Sequence, residues 1–122
     1  TGTAVLWITH DLAVVAELAD RVAVMYAGRV VEIGPVDEVL DGPRHPYTLG
    51  LLNSSAANVA PGERLNQIDG VAPRIDARPS GCPFRPRCPR VQPVCAARDP
   101  ETVGEGARSF RCHNPVPVGE AA

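Results

Sequence analysis

The sequence has no lysine: all 12 of its basic residues are arginine. That excludes, on this stretch, a P-loop lysine against nucleotide phosphates and a Schiff-base lysine. Aromatic residues make up only 4 %, too few for a surface that stacks nucleic-acid bases. A formal net charge of −2 gives no general pull toward nucleic acid or anionic lipid. No run reaches the roughly 18 apolar residues that span a bilayer. No charged segment precedes a short apolar one at the N-terminus, so a signal peptide is not visible either. The GxxxxGK(S/T) phosphate loop is missing as well. What is present is 122 residues, enough for one modest domain. The chain opens on Thr1-Gly2-Thr3 rather than Met, and reads as a fragment or a processed chain.

The first part has ordinary α/β patterning. "AVLWI" (4–8) is a continuous apolar run of strand length, suited to a strand covered on both faces. "DLAVVAELAD" (11–20) carries Leu12, Val15, Ala16 and Ala19 at helical spacing, with Asp11 placed to cap. "RVAVMYAGRVVEIG" (21–34) predicts a hairpin turning at Ala27-Gly28. "PVDEVLDGP" (35–43) and "HPYTLGLLNSS" (45–55) predict two short helices. His10 ends the first apolar run. A single histidine there is ordinarily a surface or satisfied core residue.

From about residue 53 the composition turns rich in Pro, Gly, Asn and Ala, and 53–81 reads as a connector. All four cysteines then fall in one stretch: Cys82, Cys88, Cys95 and Cys112, spaced C-x5-C-x6-C-x16-C. Five prolines among them exclude regular helix beyond one turn after Pro93. The close CxxC pairs of a zinc ribbon are absent. Scattered thiols, two disulfides or a four-thiolate metal site all remain open. A metal would order a segment too poor in apolar residues to fold alone. Six arginines against three acids in 82–112 would offset the charge of four thiolates, as would any solvated basic surface. The last residues, 114–122, read as a flexible tail.

Three segments, in order, resemble one family. "ITHDLAVVAELADRVAVMYAGRVVEIGP" is similar to the end of the ATP-binding subunit of ABC transporters, from the switch-histidine loop through the hairpin after it. "PRHPYTLGLL" (43–52) and "GCPFRPRC" (81–88) resemble the C-terminal extension of the dipeptide, oligopeptide and nickel importers. The resemblance implies a fold class: α/β, the C-terminal fragment of a P-loop NTPase (ABC-type) domain over 1–52, then an irregular Cys/Pro-rich extension over 82–113. It implies that His10 is the switch histidine, positioning the γ-phosphate or the attacking water. Asp11 keeps mostly a capping role. His45 and Tyr47 in "HPYT" are expected to anchor the extension by packing, and His113 to fill space beside Cys112.

The same resemblance implies ATP and Mg as cofactors of the full-length subunit, and a second ATP-binding subunit, permease subunits and, indirectly, a substrate-binding protein as partners, with no nucleic acid. The expected location is the cytoplasmic face of the membrane, peripherally bound. In that reducing compartment disulfides fit poorly. The family favours a 4Fe-4S cluster on Cys82, Cys88, Cys95 and Cys112, with zinc as the alternative. P-loop, signature and Walker-B segments are not in the chain, so this piece alone is expected to be inactive. Two rivals are a stand-alone metal-binding module and a non-transport ABC-type ATPase. The α/β first part counts against the former, and the HPYT and GCPF segments against the latter.

Overall fold

The computed structural model describes residues 12–53, 74–77 and 79–117. The apolar run 4–8, His10, Asp11 and most of the connector lie outside the described residues. The elements are α1 (Leu12–Leu18), β1 (Arg21–Tyr26), β2 (Arg29–Pro35), α2 (Val36–Asp41), α3 (Pro46–Asn53), a single 3-10 turn at Ile75–Ala77, α4 (Pro93–Ala97), β3 (Val103–Glu105) and β4 (Arg108–Phe110). The strands form one antiparallel sheet in the order β1-β2-β4-β3.

The hairpin expected at 21–34 forms, and it turns where φ is positive, at Ala27 (51°) and Gly28 (81°). Its alternation has one fault. The register shifts at Val24/Met25, where Val24 faces Glu32 while Met25 faces Val30. Val31 is the extra residue. The bulge lets two consecutive residues, Val31 and Glu32, both be buried.

The sequence offers no obvious reason to look for strands between Cys95 and Cys112, yet the chain returns to the sheet there. β4 pairs with β2 through Glu32↔Phe110 and Ile33↔Ser109. The Arg111 N–H continues the ladder to the Val31 carbonyl at 2.9 Å. The buried Arg108 side chain then reaches α2, donating Nη1 to the carbonyls of Glu38 (2.8 Å) and Gly42 (2.6 Å). Both lie at the C-terminal end of α2, where the Glu38 carbonyl also accepts the Gly42 N–H at 3.0 Å.

One core therefore serves both parts of the chain. Val24, Tyr26 and Val31 of the hairpin, Val39 of α2, and Cys82, Phe84 and Cys95 form a single buried cluster. Val116, within the stretch read as tail, is fully buried too. Its N–H donates to the Arg44 carbonyl at 2.8 Å, and its carbonyl accepts from Arg44 Nη1 at 2.6 Å.

Candidate metal centre

The cysteine segment docks through Phe84, two residues after Cys82. Phe84 is almost fully buried. Its ring meets Tyr26 edge-on at 5.1 Å between centroids, Tyr47 at 5.3 Å and His45 at 5.8 Å. Tyr26 and Tyr47 also touch, at 4.7 Å. Such edge-to-face contacts stabilise by about 0.5–1.5 kcal/mol each beyond the area they bury. The "HPY" and "CPF" marks are thus two halves of one contact.

A carboxylate buried beneath this contact fixes the HPY half. Glu32 is completely buried and accepts the backbone N–H groups of Arg44 (2.9 Å) and His45 (3.0 Å). The His45 ring is buried as well, and its Nδ1 accepts the Tyr47 N–H at 3.0 Å. Burial pushes the imidazole pKa down to about 4, so the ring is neutral at pH 7.

The segment carries four free thiols. Cys82 and Cys95 are bound to each other through the backbone, the Cys82 N–H donating to the Cys95 carbonyl at 2.8 Å. Gly81 makes that approach possible. Its φ is +71°, and a Cβ there would sit 2.2 Å from the Cys95 carbonyl oxygen. Cys95 lies in α4, the single turn that follows Pro93. Cys88 packs against the same core. Cys112 comes back from 17 positions further on because β4, ending two residues before it, is paired to β2.

The four sulfurs share one neighbourhood. Burial pushes the Cys82, Cys88 and Cys112 thiols up, Cys112 to about 11. The other sulfurs add to the shift: Cys95 acts on Cys82, Cys82 and Cys95 on Cys88, and all three others on Cys112. Backbone N–H groups oppose it. Arg90 N lies 3.3 Å from Cys88 Sγ, Gln92 N 3.4 Å from Cys95 Sγ, and Asn114 N 3.4 Å from Cys112 Sγ. Backbone donors of Phe84 and Arg85 serve Cys82. Each sulfur therefore has a backbone amide close to it, and for Cys82, Cys88 and Cys112 these amides offset only part of the upward push of burial.

Among the described residues, however, no three His, Cys, Asp or Glu side chains are close enough to hold a single metal ion.

Of the residues singled out in the sequence, Cys82 and Cys95 lie in the common core with Cys88 and Tyr47 packed against it, the His45 ring meets Phe84 of that core, and Cys112 follows β4. His113 points elsewhere, its Nε2 lying 2.7 Å from the Arg98 carbonyl. His10 lies outside the described residues. Glu32, Phe84, Arg90 and Asn114 escaped the sequence reading. Only Glu32 left a signal, as a charge inside the apolar run "RVVEIG".

The family described as "Oligopeptide/dipeptide transporter, C-terminal region" matches residues 31–95, from β2 to Cys95. The oligopeptide transport ATP-binding protein OppD of Escherichia coli is 44% identical over 115 residues, which cover 94% of this chain and 34% of that protein. The dipeptide transport ATP-binding protein DppD of Bacillus subtilis is 45% identical over 113 residues, 92% of this chain and 34% of that protein. The DppD protein of Haemophilus influenzae is 43% identical over 109 residues, 89% and 33% respectively. The chain spans about a third of the length of these curated relatives. With more than half of its residues inside that match, and the Phe84 contact joining the two marks that define it, the chain belongs to the oligopeptide/dipeptide transporter C-terminal region family.

Proposed function

We propose that the chain is the C-terminal portion of the ATP-hydrolysing subunit of an ABC importer of peptides or nickel. The observation that carries this reading is the continuous match of nearly the whole chain to subunits named as oligopeptide and dipeptide transport ATP-binding proteins. In the full-length subunit ATP and Mg would bind upstream. His10, just beyond the run 4–8, would donate to the γ-phosphate or orient the attacking water. Phosphoryl transfer is accelerated mainly by such positioning. The subunit would pair with a second ATP-binding subunit and dock on permeases at the cytoplasmic face of the membrane, fed by a substrate-binding protein. Among the described residues no helix is long and apolar enough to cross a membrane.

His10→Ala in the full-length subunit is expected to leave ATP affinity within a few-fold and to lower turnover by about 10²-fold or more, the scale of losing one positioned donor. Wild-type turnover in that variant sinks the role. The chain as given, without a phosphate loop, is expected to show no thermal stabilisation by ATP. Stabilisation would contradict the reading, because a ligand of the native state must raise stability.

Cys82, Cys88, Cys95 and Cys112 would hold a 4Fe-4S cluster. Their convergence as free thiols with backbone amides on the sulfurs supports this. When bound, the cluster would cross-link the segment and supply one-electron redox chemistry. The cysteines would anchor it, the amides would stabilise their thiolate form, and Phe84 would tie it to the hairpin. Protein purified without oxygen is expected to be brown, with about four irons per chain. One zinc and no iron would mean a zinc site instead, and no metal at all would remove both.

A further inference from the structure

We draw no further inference here: the strongest candidate, the largely apolar groove along β2 and β4 lined by Val30, Ile33, Thr102, Ser109 and Phe110, is an unpartnered face of the sheet, and nothing in the structure shows what covers it.

Discussion

His45 shows how much a single buried ring can be made to carry. It packs on Phe84, and its Nδ1 accepts a backbone N–H. Desolvation lowers its pKa from 6.5 to about 4. The unfolded chain therefore binds a proton that the folded chain refuses between those two values. The stability associated with the neutral ring is complete above about pH 6.5. It falls away as the pH drops toward 4, where the ring is forced to charge in place. Urea unfolding is expected to show a loss of roughly 2 kcal/mol between pH 7 and pH 4.5 from this group. His45→Gln should remove that part of the pH dependence. An unchanged profile in the variant would mean that the ring titrates normally.

At the scale of elements, the start of α3 depends on β2. Pro46 opens the helix, where its missing N–H is no loss. The two N–H groups just before it, of Arg44 and His45, find the Glu32 carboxylate. The bulge in the hairpin is what turns Glu32 inward to meet them. Glu32→Ala would leave two buried donors without a partner and is expected to cost about 3 kcal/mol. Glu32→Gln, which keeps one acceptor oxygen, should cost clearly less. Equal losses in the two variants, read from denaturant midpoints, would mean that packing rather than acceptance sets the role. Arg108 performs the complementary task at the other end of the sheet, closing α2 from β4.

At the scale of the molecule, the cysteine segment is no appendage. It contributes Phe84, Cys82 and Cys95 to the common core, and β4 to the sheet. The ion pair of Asp99 with Arg29 in the hairpin spans the same boundary. Were the proposed cluster bound, its loss should be felt beyond the cysteines, and hydrogen exchange on iron removal is expected to quicken first in β3 and β4. The β1–β2 ladder, with its own turn and six paired positions, should stay protected. Equal deprotection of both pairs would mean that the centre holds up the hairpin as well.

The local sequence determined the elements whose information is local. The hairpin lies in the alternation of 21–35 and the left-handed pair Ala27-Gly28. The short helices lie between Pro35 and Gly42 and after Pro46, and the single turn of α4 follows Pro93. The cysteines stood out by residue type and clustering, and the HPY and CPF marks announced a family. What only the tertiary structure decided is how these pieces meet. β3 and β4 are three residues each, too short to carry a periodic signal, and exist because β2 offers an unpaired edge. Glu32 and Phe84 acquired their roles from partners 12 and 13 positions away in the chain or from rings brought together by folding. Such contacts leave no period or spacing to read. Their free energy comes from burial and from satisfying desolvated polar groups, and both are properties of the assembled core rather than of any segment.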